Sequence, residues 1–202
     1  MPSKTAPLPV PGAPRDGAPA LDPVTRARLW GNPCWFAFRF NYLAKYYNVP
    51  LYGWVRRRYG LTRPEYIVVH GLGLCECATA RDLSISYGFP KNTLSRAIHN
   101  LVRRGLIERA ARKDDRRSFH LRLTAQGRAV YDEALPFFIQ MQDDMLRALS
   151  PPEREQLSVL LAKVVLDTFT WSPPHDFIAG KWRNGARKLR SVARDGALVA
   201  GE

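Results

Sequence analysis

Residues 88–127 read GFPKNTLSRAIHNLVRRGLIERAARKDDRRSFHLRLTAQG, and this stretch decides the fold. Between Pro90 and Gly105 it predicts one helix, because Pro suits a helix start and Gly a helix end. The apolar face of this helix has helical spacing and consists of Leu94, Ala97, Ile98, Leu101 and Val102. The opposite face carries Asn92, Arg96, His99 and Arg103. The pattern therefore predicts an amphipathic helix with a basic exposed face.

A second short helix precedes this one. Thr79-Ala-Arg-Asp82 has the form of a capping box, which predicts a helix that runs to Tyr87 and stops at Gly88. Two short helices joined by a tight glycine turn are typical of a helix-turn-helix.

Two short strands follow the helix pair. Leu106–Arg109 is the first candidate, and Phe119–Leu123, which alternates apolar and polar side chains, is the second. The stretch between them, RKDDRRS at residues 112–118, has six charged residues out of seven. A charge run of this kind is usually a solvated loop. After a helix-turn-helix, however, strand, charged loop and strand are the pattern of a winged helix.

The rest of the chain reads mainly as helix. Residues 1–24 are rich in Pro and Ala and predict a disordered arm, with structure beginning near Trp30. Aromatic residues at helical spacing predict a long helix over Trp35–Tyr59, interrupted or kinked at Pro50. Further helix starts are indicated by capping boxes or caps at Thr62, Thr124 and Ser150, and the last helix should reach about Trp171. The predicted fold class is mainly α with a small β wing.

The charge indicates the kind of partner. The chain has 202 residues and a formal net charge of +13, which attracts polyanions. Residues 25–61 have seven basic groups and no acid, whereas residues 125–171 have four basic groups against seven acids. No apolar run approaches the roughly 18 residues of a membrane span, and three cysteines do not form a secreted disulfide framework. We expect a soluble, cytoplasmic protein with no membrane partner.

Catalytic and metal signatures are missing from the sequence. It contains four scattered histidines and no Gly-rich phosphate loop, GxSxG or HExxH motif, so an enzyme is not predicted. Cys75 and Cys77 are poorly spaced for a metal site with a distant histidine. We expect no cofactor and no metal.

The stretch that decides the fold resembles the MarR family of bacterial winged-helix regulators. The shared motifs are T-x-S-R in the helix, L-x-x-x-G-L-I after it, D-R-R in the wing and L-T-x-x-G at the last strand, found at Thr93, Ser95, Arg96, Leu101, Gly105, Leu106, Ile107, Asp115, Arg116, Arg117, Leu123, Thr124 and Gly127. GLTRPEY at residues 60–66 and SPPEREQL at residues 150–157 extend the resemblance over about residues 30–171.

The resemblance implies a homodimer that binds double-stranded DNA. Residues 25–61 would form the first dimerisation helix, 62–124 the winged helix-turn-helix domain and 125–171 the C-terminal dimerisation helices, leaving 1–24 as an arm and 172–202 as a basic tail. A symmetric dimer reads a pseudo-palindrome with half-sites about one helical turn, ~10 bp, apart.

The DNA contacts follow from side-chain chemistry and the resemblance together. Arg96 suits guanine O6 and N7, and Asn92 suits adenine or a phosphate. Phosphate contacts are expected from Lys91, Thr93 and Ser95. In the wing, Arg116 or Arg117 would enter the minor groove, with Asp115 orienting the guanidinium through paired hydrogen bonds.

Regulation is predicted from the resemblance alone. Members of the family bind small, often aromatic anions between the dimerisation helices and the winged helix. The side chains on those helices that suit an aromatic carboxylate are Arg39, Asn41, Tyr42, Tyr66 and His70. For each of them, packing or dimer contact is an equally good interpretation. The aromatic first helix resembles repressors of nicotinic acid catabolism, so a hydroxylated nicotinate is the leading effector hypothesis.

Two alternatives stay open. PCWFAF around Cys34 resembles the branch that senses organic hydroperoxides by thiol oxidation, but that branch has a tyrosine where this chain has Phe38. The other is a nonspecific architectural DNA-binding protein, which would bind without regard to sequence, whereas a regulator should show a specificity ratio of ~10³ or more.

Asp115→Ala tests the wing interpretation. The substitution makes the net charge more positive, yet we expect DNA binding to weaken, because the arginines beside Asp115 lose the carboxylate that orients them. Binding to duplex DNA at fixed salt measures the change, with Arg116→Ala and Arg117→Ala as the variants that should lose tight binding outright. Tighter binding by Asp115→Ala would leave the solvated loop as the better interpretation.

Overall fold

A computed structural model describes Gly12, residues 21–111 and residues 119–168 of the chain. The elements, in chain order, are α1 (Pro23–Trp30), α2 (Trp35–Tyr59), α3 (Arg63–Leu74), α4 (Ala80–Tyr87), α5 (Lys91–Arg103), β1 (Ile107–Ala111), β2 (Phe119–Leu123), α6 (Ala125–Leu146) and α7 (Pro151–Asp167). The fold is thus mostly helical with one small antiparallel sheet, which confirms the predicted class. The wing tip, including Asp115, Arg116 and Arg117, lies outside the described residues.

The chain divides into two compact units, one ending at Gly53 and the other starting at Trp54. The described part of the first unit contains α1 and most of α2. α1 was not predicted, because structure was expected to begin near Trp30. It begins at Pro23, where the Asp22 carboxylate accepts a hydrogen bond of 2.9 Å from the Thr25 N–H and caps the first turn.

Helix α2 is continuous over 25 residues, with Pro50 inside it. Of the two predicted effects of Pro50, the interruption is therefore wrong, and the kink stays a prediction. Proline removes one backbone donor from the ladder, and the remaining hydrogen bonds of a long helix tolerate that loss.

The second unit contains the winged helix. Its core comprises side chains from α3, α5 and the sheet that are at most 3% exposed, among them Val68, Leu72, Leu94, Leu101 and Ile107. α3 packs against α5 and α6, and α4 packs against α5. α3 also packs against α4, and therefore against both helices of the helix-turn-helix.

The wing sheet is built from β1 and β2, paired antiparallel with Ile107 opposite Leu123. Ala78, before α4, extends the sheet by one bridge to Leu121, with N···O distances of 3.3 and 2.8 Å. β1 is one residue later than predicted at its start and two at its end. Gly105, with a φ of +70°, makes the turn that separates α5 from this sheet.

Helix α6 passes very close to the start of the sheet. A Cβ atom added at Gly127 would lie 1.9 Å from the Leu106 carbonyl oxygen, so no side chain fits there. Thr124 caps the same helix, accepting from the Gly127 N–H at 3.1 Å and donating to the Gly105 carbonyl at 2.6 Å. The L-T-x-x-G motif is therefore a junction between sheet and helix.

Candidate DNA-binding interface

Helix α5 separates its apolar and polar side chains onto two faces. Leu94, Ala97, Ile98 and Leu101 are buried, whereas Lys91, Asn92, Ser95, Arg96 and His99 are exposed. Thr93 is half-buried. The structure thus brings the DNA-contact residues predicted on this helix onto its outer surface and first turn, as required of a helix that enters a groove.

The start of α5 suits an anion. Its N-cap is Pro90, which forms no side-chain cap, and Lys91 lies in the first turn beside it. The first N–H groups of a helix have no partner within the helix and form the positive end of its dipole. A phosphate at this end would meet both the N–H groups and the Lys91 ammonium.

A polar recess lies between α5 and the wing. It has a volume of about 420 Å³ and is lined by Ser95, Arg96, His99, Asn100 and Arg109. Arg109 comes from β1 and was not among the predicted DNA contacts, whereas His99 belongs to the predicted exposed face of α5. The signal for Arg109 is the period of two in a strand, which places it on the same face as Ile107. The recess presents two guanidinium groups and an imidazole to a polyanion.

The other end of α5 is tied to the protein. Arg104, the C-cap residue, donates from Nη2 to the Tyr59 carbonyl at 2.7 Å and from Nη1 to the Gly60 carbonyl at 3.3 Å. Its charge is directed at the C-terminal carbonyls of α2, where the helix dipole is negative.

The first three predicted ligand residues lie in the first unit. Arg39 donates from Nε to the Leu29 carbonyl at 2.9 Å, and its Cζ atom lies 5.2 Å from the Trp30 ring centroid and 5.0 Å from that of Trp35. The Tyr42 ring lies 4.6 Å from the Tyr46 ring. Asn41 is exposed. Arg39 is therefore a cation among aromatic rings.

The other two predicted ligand residues lie in the second unit. Tyr66 is 0% exposed and stacks on Phe138 with centroids 4.9 Å apart. His70 also stacks on Phe138, and its Nδ1 atom lies 3.4 Å from the Tyr87 hydroxyl. Burial lowers the pKa of His70, so the imidazole is neutral at pH 7. The structure thus places this pair in an aromatic cluster with α6.

Cys34 and Cys75 differ in their surroundings within the described part of the chain. Cys34 is exposed, its N–H donates to Asn32 Oδ1 at 2.8 Å, and Phe38 one turn later has no hydroxyl to offer it. Burial raises the pKa of Cys75, and the neighbouring Cys77 and Asp82 raise it further, which favours the protonated thiol. Among the residues that the structure describes, no three His, Cys, Asp or Glu side chains are grouped to hold a metal ion.

In the described part of the chain, none of the helices has the length and apolar character to cross a membrane. The longest, α2, has 25 residues but includes Arg39, Lys45 and three consecutive arginines in its last turn.

The fold and this surface define a winged-helix DNA-binding protein, and comparisons with known proteins agree. A family model described as a winged helix DNA-binding domain matches residues 61–127. The HTH-type transcriptional regulator BilQ of Clostridium symbiosum is 28% identical over 99 residues, which is 49% of this chain and 68% of BilQ. The transcriptional repressor MprA of Escherichia coli K12 is 33% identical over 84 residues, 42% of this chain, so the chain spans about half of MprA's length, 48%.

Solved structures extend the likeness beyond the DNA-binding domain. A MarR family transcriptional regulator from Silicibacter pomeroyi is 28% identical, with a TM-score of 0.60 over 66% of this chain and 90% of that one. The chain therefore contains a winged-helix DNA-binding domain of the kind found in transcriptional regulators, and its fold is similar to that of a MarR family regulator. Its relatives are regulators, which supports the prediction that it is not an enzyme.

The predicted nicotinic acid branch is not confirmed. A structure of Bordetella bronchiseptica BpsR, whose DNA binding is regulated by 6-hydroxynicotinic acid, matches with 23% identity and a TM-score of 0.51 over 63% of this chain and 98% of that one. At this identity the match concerns the fold alone, so the branch stays a prediction.

Proposed function

We propose that the protein is a sequence-specific transcriptional repressor that binds a pseudo-palindromic DNA operator as a homodimer and releases it when a small aromatic carboxylate binds. The observation that carries the DNA-binding part is the exposed face of α5. Arg96 is there flanked by Ser95 and His99 and faces the same recess as Arg109. Repression is proposed because the related MprA is named a repressor.

Arg96 is the proposed base-reading residue. Its guanidinium can form two parallel hydrogen bonds with guanine, and Arg109 and His99 beside it supply positive charge for the adjoining phosphates. Lys91 and the first turn of α5 would hold a phosphate at the other end of the helix.

Arg96→Ala and Arg96→Lys test the reading role. The full chain first selects its preferred duplex from a randomised library, and binding to that duplex and to a scrambled one is then measured over a salt series. We expect Arg96→Ala to cost about 1–3 kcal/mol on the selected duplex and to relax the preference at one position. Arg96→Lys should lose the same preference while keeping the charge, because an ammonium cannot form the paired hydrogen bonds.

Arg103→Ala is the matched control. It removes the same charge from the same helix but lies outside the proposed base-reading turn, so its effect should be small and equal on both duplexes. If the wild-type chain selects no sequence, the protein is an architectural DNA binder; if Arg96→Ala weakens both duplexes equally, Arg96 contacts phosphate.

The homodimer is proposed because one whole helix has apolar side chains that are not buried against the part of the chain that the structure describes. Among the 17 residues of α7 none is buried. Its exposed apolar side chains are Val159, Leu160, Val164, Val165 and Leu166. α2 likewise exposes Phe36, Phe40, Leu43 and Val49. Exposed apolar side chains in such number are typical of a protein that associates through them.

Leu160→Glu combined with Val164→Glu should separate the subunits. The two positions are one turn apart on α7, and carboxylates there would be buried without partners in a dimer. We expect the mass measured by light scattering to fall to that of one chain, with a large loss of affinity for the selected duplex. Ser158→Glu with Ala162→Glu is the matched control, because it adds the same charges at the same spacing on the opposite side of the helix. A dimer that survives the first pair would move the interface away from α7.

The effector is proposed to be an aromatic carboxylate, with a hydroxylated nicotinate as the leading candidate. Arg39 with Trp30 and Trp35 supports this choice, because a guanidinium pairs with a carboxylate while indole rings stack on a flat ring. A carboxylate is a stronger acceptor than the neutral Leu29 carbonyl, so an anionic ligand can replace that hydrogen bond. Asn41 and Tyr42, in the same unit as Arg39, are the proposed further ligand contacts.

Thermal unfolding with and without 6-hydroxynicotinic acid tests this assignment. A ligand at about 100 times its Kd should stabilise the chain by about 2.7 kcal/mol and raise Tm by several degrees. Nicotinic acid and nicotinamide form a matched pair that differs only in the carboxylate, and only the acid should act. Arg39→Gln should abolish the shift and Arg26→Gln, in the same unit, should keep it. A shift that persists in Arg39→Gln would place the anion elsewhere.

A further inference from the structure

Two side chains fasten the C-terminal half of α5 to the junction between α2 and α3. Asn100 Nδ2 donates to Glu65 Oε1 at 3.1 Å. One turn further on, Arg104 donates to the carbonyls of Tyr59, the last residue of α2, and Gly60. Neither contact belongs to the apolar packing that holds α5 on α3. They add direction to that packing, because a hydrogen bond depends strongly on angle, whereas apolar contact is non-directional.

The acceptor of the first contact is a buried carboxylate. Glu65 is 6% exposed, at the third position of α3. Its Oε2 atom accepts from the Thr62 N–H and the Thr62 hydroxyl, both at 2.7 Å, and its Oε1 atom accepts from Asn100. Burial raises the pKa of Glu65, but the hydrogen bonds from Thr62 and Asn100 and the charge of Arg104 outweigh it, so the pKa is lowered overall. Glu65 is therefore ionised and can only accept.

Asn100 lies far from the start of α5, so a small change of angle at this contact moves the start of the helix. Asn100 is nine residues after Lys91, which at the rise of an α-helix is about 13 Å. A tilt of α5 by about 10° about Asn100 would displace the start of the helix by about 2 Å, which is enough to break hydrogen bonds to base edges. Electrostatic contacts to phosphates tolerate such a shift far better.

We infer that Asn100 is a positioning residue for DNA recognition: through its hydrogen bond to the buried Glu65 carboxylate it sets the angle at which α5 presents Arg96 to the bases. This inference rests on the proposed function. Arg96 is proposed to contact the bases, and Asn100 is inferred to orient the helix that carries Arg96. Asn100 also lines the recess beside Arg96, so a direct contact with DNA is the competing role that the experiment has to separate.

Asn100→Ala is the first test, using the duplex that the wild-type full chain selects from a randomised library and a scrambled duplex of equal length. We expect the ratio of the two affinities to fall about tenfold, the equivalent of one hydrogen bond to a charged group, with the salt dependence unchanged because no phosphate contact is lost. An unchanged ratio overturns the inference. So does a parallel loss on both duplexes with a shallower salt dependence, since that is the signature of a phosphate contact.

A reversal of the hydrogen bond gives a test that does not depend on removing it. Asn100→Asp alone places two carboxylates together and should lose specificity more severely than Asn100→Ala. Adding Glu65→Gln restores a donor opposite the new acceptor, keeps a residue that can complete the helix cap with Thr62, and returns the total charge to that of the wild type. We expect the double variant to recover the affinity ratio to within about threefold of the wild type, as coupled partners do.

The reversal also distinguishes positioning from general stability. Tm of each variant is measured alongside, and a double variant that regains Tm without regaining the affinity ratio overturns the inference. If the wild-type chain selects no sequence at all, the proposed function is overturned instead, because that function requires sequence-specific binding.

Discussion

The apolar face of α5 is the constraint on which the rest of the structure depends. Leu94, Ala97, Ile98 and Leu101 are each at most 4% exposed, and burial of a leucine or isoleucine side chain stabilises a fold by about 1.5–3 kcal/mol. Because a helix turns by about 100° per residue, fixing this face against α3 fixes the opposite one. Arg96 and His99 therefore face outward for the same reason that Leu94 and Leu101 face inward. The packing of the core therefore determines which residues of α5 lie on the proposed DNA-binding surface.

Glycine and threonine fix the wing against the same core. Gly127 approaches the Leu106 carbonyl more closely than any other residue type would allow, and Thr124 closes the turn at Gly105. These contacts keep β1 beside α5, and β1 carries Arg109 into the recess with Arg96. Gly127 and Thr124 carry no charge, yet their packing determines that Arg96 and Arg109 line the same recess.

Local signals in the sequence predicted much of this. Capping boxes at Thr62, Thr79 and Ser150 are present, and the helices after them start where the boxes place them. The helical period predicted four of the five residues on the inward face of α5 correctly, whereas Val102, predicted on the same face, is 36% exposed. Failures occurred where a weaker signal competed with a stronger one: α1 is only eight residues long, beside a Pro- and Ala-rich segment, and Pro50 was weighted above the long helix around it.

The candidate site was predicted less completely, because its members come from different elements. Arg96 and Lys91 are visible in one helical pattern, whereas Arg109 joins them only once β1 is paired and packed. Asn100 was hidden for a similar reason, since its partner Glu65 is 35 residues away. Glu65 itself was recognised as half of a capping box, and one of its two oxygens does serve that cap. The second oxygen is not used by the cap. Because a buried carboxylate oxygen without a hydrogen bond is costly, it needs a donor from elsewhere in the fold.

That spare oxygen explains why a charge is tolerated in the core of so small a domain. A buried ion pair or charge seldom adds net stability over apolar packing, so its presence calls for a benefit in specificity of geometry. Here the geometry concerned is the angle of α5. Arg104, one turn after Asn100, also holds α5 in place, because it donates to the carbonyls at the end of α2. The exposed aromatic side chains of α2 are proposed to join two subunits. The C-terminal end of α5 is therefore joined to the end of α2 by hydrogen bonds, which depend strongly on angle.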